Sequence, residues 1–186
     1  MGWLFGWDTR AELIAHLTKP YVAHDEHGAV SYTIETFAKS VRTNKMWTVI
    51  RKLDAAGVEV ERSIDLYLLK SGVRDGHGYK PVGGEGSCDD SCPIKFLKLV
   101  PENRTEWGAE WRASVYAASA KRRAQAEKAS SLKAGDVLLL PEGWLFRRFK
   151  VTTTTPKVLA VAFENGRTFR IPNRVIAAAT VVPVAA

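Results

Sequence analysis

The dipeptide Asn165-Gly166 stands between VLAVAFE and RTFRI, two short runs rich in β-branched and aromatic residues. It is the strongest short-range hairpin signal in the chain, because both residues of a tight two-residue turn must tolerate positive φ. It belongs to a longer pattern. SLKAGDVLLLP, WLFRRFKVTTT, KVLAVAFENG, RTFRIPNRVI and AATVVPV make five short β-rich pieces over residues 131–186. Five such pieces in so short a span predict a small β-barrel, SH3-like or OB-like. The opening AGDVLLL and the break at Pro172-Asn173 before the last piece favour the SH3-like form.

The rest of the chain reads differently. Thr9-Arg10-Ala11-Glu12 is a capping box, and Leu13, Ile14 and Leu17 give the helix behind it an apolar face. Lys19-Pro20 ends that helix, which is expected to pack with Trp3, Phe5 and Trp7 onto a sheet. Residues 29–70 predict an antiparallel meander, with Tyr32, Ile34, Phe37, Val58, Val60, Ile64, Leu66 and Leu68 inward and a bulge near Arg62 and Ser63. Residues 71–91, rich in glycine, predict a long loop. A short helix, PIKFLKLV, follows, and then a longer one from about Thr105 to Lys128. On the longer helix Trp107, Trp111, Val115 and Ala118 draw one stripe, read as core anchors. The fold class is α+β: an N-terminal antiparallel sheet with helices (1–103), a helical connector (104–130) and the SH3-like barrel (131–186).

Charge is distributed unevenly. The 186 residues carry a formal +7. From residue 131 onward eight basic residues stand against three acids, +5, which leaves +2 for the first 130. A local basic excess attracts polyanions, chiefly nucleic acid. The residues expected to contact phosphates are Lys121, Arg122 and Arg123 at the end of the connector, and Arg147, Arg148, Lys150, Arg167, Arg170 and Arg174 in the barrel. Arg147, Arg148 and Lys150 are read along one strand and its neighbour, and Arg167, Arg170 and Arg174 along the next hairpin. Phe146, Phe149 and Phe169 are candidates for base stacking that a small barrel would keep mainly inside.

GGEGSCDDSCP, residues 83–93, holds both cysteines. Cys88 and Cys92 have a spacing that zinc tolerates, and His24 and His27 would complete a Cys2His2 set, although the two pairs lie far apart in sequence. Alternatively, Pro93 at the first helical position would put Cys92 at an N-cap, where the helix dipole favours a thiolate. Asp89 and Asp90 oppose that charge, and His77 would be the base. A disulfide would close a very small loop in a reducing compartment. The plainest reading makes Cys92 a small buried anchor where the loop rejoins the core.

Familiar catalytic templates are missing: no phosphate-binding loop, no dinucleotide fingerprint, no H-E-x-x-H and no G-x-S-x-G. No apolar run reaches the roughly 20 residues of a membrane span. The N-terminus has no basic segment followed by a long apolar one, so a cytoplasmic location without a membrane is expected. Asn103-Arg104-Thr105 matches a glycosylation sequon, which carries no meaning there.

Met1-Gly2-Trp3, Trp47-Thr48-Val49, Gly78-Tyr79-Lys80 and Cys92-Pro93 form a pattern over the first two thirds of the chain. It resembles an uncharacterised family of small bacterial proteins associated with phages, prophages and plasmids. The resemblance implies an accessory role on a mobile element and carries over no catalytic residue. The expectation is therefore a non-catalytic protein that binds nucleic acid through its basic C-terminal barrel, with no cofactor, zinc being the one candidate. The alternatives are a module that targets a host protein and a thiol-dependent enzyme centred on Cys92.

Overall fold

The computed structural model of the chain describes residues 2–72, 76–100, 106–154 and 158–182. The sequon at 103–105, Lys157 and the end of the last β-rich piece lie outside the described residues. The chain is mixed α+β and divides into two compact units, Met1–Ala118 and Ser119–Ala186.

The first unit is built on six antiparallel strands. Their order across the sheet is β1 (Leu4–Trp7), β6 (Gly76–Gly84), β5 (Glu59–Gly72), β4 (Lys45–Asp54), β3 (Val30–Val41) and β2 (Tyr21–His24). The meander read from residues 29–70 is β3–β4–β5. Alternation assigns its two faces. One face sends Trp47, Val49, Ile64 and Leu66 against helix α2 (Ile94–Leu99) and the first half of helix α3 (Glu106–Ser130). There they pack with Cys92, Phe96, Leu97, Trp111 and Val115. The other face packs Met46 and Leu69 on Leu13 of helix α1 (Arg10–Thr18).

The start of α1 follows the sequence closely. Thr9 Oγ1 accepts from the Glu12 amide at 3.2 Å, and the Thr9 amide donates to the Glu12 carboxylate at 3.1 Å. The aromatic residues before it divide. Trp7 contacts His16 and Tyr79, with ring centroids 4.6 and 5.5 Å apart, whereas Trp3 and Phe5 stack on each other at 6.2 Å. Only Trp7 joins the cluster beneath α1.

Five expectations for this unit are corrected. Val58 and Val60 are exposed. Val58 lies in the β4–β5 turn, and Val60 is the extra residue of a bulge, since Lys52 pairs with Glu61 and Leu53 with Glu59. The bulge expected near Arg62 is therefore two residues earlier. Phe37 is likewise a bulged residue and turns outward, with the guanidinium of Arg62 4.5 Å from its ring centroid and that of Arg51 5.4 Å. The long loop shrinks, because β5 continues to Gly72 and β6 occupies Gly76–Gly84. Glycine serves close approach there: a β-carbon on Gly78 would strike the Leu4 carbonyl and the Phe5 ring, and one on Gly84 the Ile64 carbonyl. Pro81 is tolerated beside a bulge at Val82, beyond the last residue that β1 pairs. Finally, Trp107 is 72% exposed, while Trp111 and Val115 are buried. Steps of four residues drift about 40° per step at 3.6 residues per turn, so a stripe centred between Trp111 and Val115 leaves Trp107 at its edge.

The second unit holds the end of α3 and five short strands, β7 (Val137–Leu139), β8 (Arg148–Thr153), β9 (Leu159–Ala162), β10 (Thr168–Arg170) and β11 (Thr180–Val182), with helix α4 (Asn173–Ala178) before the last. Their order is β10-β9-β8-β7-β11, all antiparallel. The core gathers Leu138, Leu140, Phe149, Val151, Ala160, Ala162, Ile171 and Ile176. Lys128 reaches from α3 to the end of α4, donating to the carbonyls of Ala177 and Ala179 at 3.0 and 2.8 Å, which supplies partners to a terminus that lacks them.

Asn165-Gly166 does join β9 to β10, through a wider turn than expected. Gly166 alone adopts positive φ, +67°, and no described non-glycine residue does. Gly166 donates its amide to Ala162, and Asn165 accepts the Arg167 amide on its side-chain oxygen at 2.9 Å.

Candidate nucleic-acid interface

The outer face of the second sheet follows from alternation along β8. Phe149 and Val151 point into the core, so Arg148, Lys150 and Thr152 point out. On β10 the half-buried Phe169 lies between exposed Thr168 and Arg170. Lys150 stands opposite Val137 on one side and Val161 on the other, and Arg170 stands opposite Leu159. Arg148, Lys150 and Arg170 thus share one face, with Leu159 and Val161 of β9 between them and Val137 and Leu139 of β7 beyond β8. Arg148 also lies over Phe163, its guanidinium carbon 4.8 Å from the ring centroid.

All nine basic residues expected to contact phosphates are exposed. They do not all share that face. Arg147 precedes β8, Arg167 sits in the β9–β10 turn, and Arg174 lies on α4 rather than on the hairpin. Lys121, Arg122 and Arg123 are on α3, where Arg123 pairs with Glu127 one turn on at 3.8 Å. Two acids answer the cations near β8. Glu142 approaches Arg147 at 3.7 Å. Glu164 accepts the backbone amides of Arg147 and Arg148 at 3.0 and 3.1 Å, and those bonds hold its carboxyl below the usual range. Exposed pairs of this kind are worth little, so the cationic side chains keep most of their reach for another anion. Divided at the boundary of the compact units, the sequence places twelve basic and four acidic residues in 119–186, a net +8. Residues 1–118 hold fifteen and sixteen, a net −1.

Beside this face the chain exposes apolar groups that the sequence reading placed in a strand. The segment between β7 and β8 is an irregular loop, and its Trp144 and Leu145 are 47% and 87% exposed. A cavity of about 200 Å³ opens there, walled by Trp144, Leu145, Phe146, Phe169, Pro172 and, at its edge, Arg170. Phe146, Phe149 and Phe169 line it as a trio with centroids 5.3 to 6.5 Å apart, Phe149 meeting the other two rings edge-on and those two tilted on each other. Phe149 is buried, whereas the other two are only half-buried. The signal was legible in WLF: three consecutive apolar residues cannot all enter a core from an alternating strand. A second cavity, about 340 Å³, lies against Leu140 on the other side and is lined by Arg147, Arg148 and Glu164.

The cysteine loop is organised for packing. Asp89 accepts from Lys45 Nζ and from the Ser91 amide, Trp111 Nε1 donates to the Asp89 carbonyl at 3.0 Å, and Trp47 Nε1 to Ser91 Oγ at 3.4 Å. Burial pushes the Asp89 carboxyl up, but the bonds from Lys45 and Ser91 outweigh it and hold the group below its ordinary value. Pro93, not Cys92, occupies the N-cap of α2. Cys92 is buried beside Trp47 and Phe96, and burial pushes its thiol up to about 12, against the pull of Arg112 and with the push of Asp89 and Glu85. His77 pairs across β5–β6 with Ser71, its Nδ1 3.0 Å from the hydroxyl. Cys92 packs on the sheet face that receives α2, in the cluster of Trp47, Val49, Ile64 and Leu66.

Cys88 is exposed. A disulfide-exchange reagent at pH 8 is therefore expected to titrate one thiol per native chain, and Cys88→Ser to abolish that reaction. Cys92 should react only in denaturant. Two equally fast native thiols would contradict this assignment. His24 lies on β2, its Nδ1 3.1 Å from the Gly28 carbonyl, and His27 is in the following turn. Among the described residues no three histidine, cysteine, aspartate or glutamate side chains group as metal ligands. No described helix is long and apolar enough to cross a membrane.

No family model, curated protein or solved structure matches the chain.

Proposed function

We propose that the protein binds nucleic acid through its second unit, as a non-catalytic accessory protein of a phage or plasmid. The observation that carries the reading is the partition of charge, +8 on residues 119–186 against −1 on the rest, with Arg148, Lys150 and Arg170 on one sheet face. Cations on β8 and, across β9, on β10 can meet the repeating phosphates of a backbone and release condensed counterions. The strand order β10-β9-β8-β7-β11, with α4 before the final strand, supports an SH3-like reading of this unit. The mobile-element assignment draws on the resemblance over the first two thirds of the chain.

Affinity for mixed-sequence DNA or RNA should fall steeply between about 50 and 200 mM salt. The triple substitution Arg148→Glu, Lys150→Glu and Arg170→Glu should reduce it at least tenfold and flatten the salt slope by roughly two to three. Fluorescence anisotropy measures both. Undetectable binding at low salt, or a charge-reversed variant that binds as tightly as the parent, would end the reading.

A further inference from the structure

Resting on that reading, we infer that the second unit selects single-stranded nucleic acid, seating one unpaired base in the aromatic cavity between the β7–β8 loop and the β10–α4 junction. Three observations converge there. The cavity is apolar and aromatic, lined by Phe146 and Phe169 with Trp144 at its open side. At about 200 Å³ it is smaller than the roughly 300–1,000 Å³ of small-molecule sites, which suits one planar group better than an extended ligand. A cation stands at its edge: Arg170 lines it, in a unit whose net charge is +8.

The charges complement a phosphate running past the mouth, while the interior complements a base. Glu142 and Glu164 are the opposing carboxylates, and they stand on the Arg147 and Arg148 side rather than at Arg170. A base in a duplex is stacked on both faces and cannot enter, whereas an unpaired base presents its π-face to aromatic side chains. An acidic peptide with an aromatic residue meets the same rim. Three exposed cations on β8 and β10, of which Arg170 also lines the cavity, favour a polymer with one charge per repeat.

The test compares, with the full chain, four probes of equal length: a fluorescent oligothymidylate, the same strand with abasic sites, a hairpin duplex, and a glutamate-rich peptide containing phenylalanine. Trp144→Ala is the diagnostic variant, because its exposure separates binding from folding. The expected result is a preference for the intact single strand, lost roughly 5- to 100-fold both on removing bases and in Trp144→Ala. Equal binding of all three nucleic acids with a steep salt slope would overturn base insertion and leave the phosphate-binding reading standing. Binding to no nucleic acid would overturn both. A peptide that binds in a Trp144-dependent manner while the oligonucleotide does not would reassign the cavity to a protein partner.

Discussion

Replacing Arg112 with methionine is expected to cost the first unit roughly 3–5 kcal/mol, the range found when one partner of a buried ion pair is removed. Arg112 is 8% exposed and its guanidinium is fully engaged. Nε pairs with the Glu85 carboxylate, Nη1 donates to the Leu97 carbonyl at 3.1 Å, and Nη2 donates to the Val100 carbonyl. Those carbonyls belong to the last turn of α2, which has no intrahelical donors for them. A single side chain on α3 therefore ties down the loop after β6 and the end of α2. Methionine fills much of the same volume, so the loss isolates charge and hydrogen bonding. The Glu85 side chain, 11% exposed, is left as an uncompensated buried anion. Adding Glu85→Leu to Arg112→Met should recover a large part of the loss, and urea unfolding followed through tryptophan fluorescence reads both. Additive losses in the double variant would show that the two groups do not act on each other.

Gly84→Ala should be nearly as damaging, at roughly 3 kcal/mol or more, the scale reserved for specific steric or backbone conflicts. The new methyl group would land on the Ile64 carbonyl, with the Asp65 backbone immediately behind it. Both are backbone atoms of a central strand, so neither can move aside as a flexible side chain would. Gly83 is the control: it has positive φ, +83°, and open space around its missing β-carbon. Gly83→Ala should cost about 1 kcal/mol, from conformation alone. Equal losses at the two positions would remove the steric argument.

These two sites mark where sequence reading stops. The capping box at Thr9 and Glu12, the meander, and the turn at Asn165-Gly166 were legible because each depends on residues adjacent in the chain. β6 was not, because its glycines and Pro81 signal a loop locally, whereas Gly78 and Gly84 are required by neighbours, Leu4 and Ile64, that lie far away in sequence. β1 was hidden by its length, since four residues show no period. Arg112 reads as an ordinary helical cation until α2 is placed beside it. In the candidate interface the basic residues were legible from composition, but which of them share a face depended on where β8 begins. Starting it at Trp144 instead of Arg148 concealed the exposed indole.

The pairing of β1 with β6 also bears on how the chain acquires its structure. Leu4 meets Tyr79 and Leu138 meets Val181, so in each unit a strand near the beginning waits for one made much later. During synthesis from the N-terminus, β3, β4 and β5 can assemble by successive hairpins while the aromatic residues of β1 stay without a neighbour. The nascent chain thus carries an unclosed sheet edge until the glycine-rich strand leaves the ribosome. That interval is when it is most open to pairing with another copy of itself.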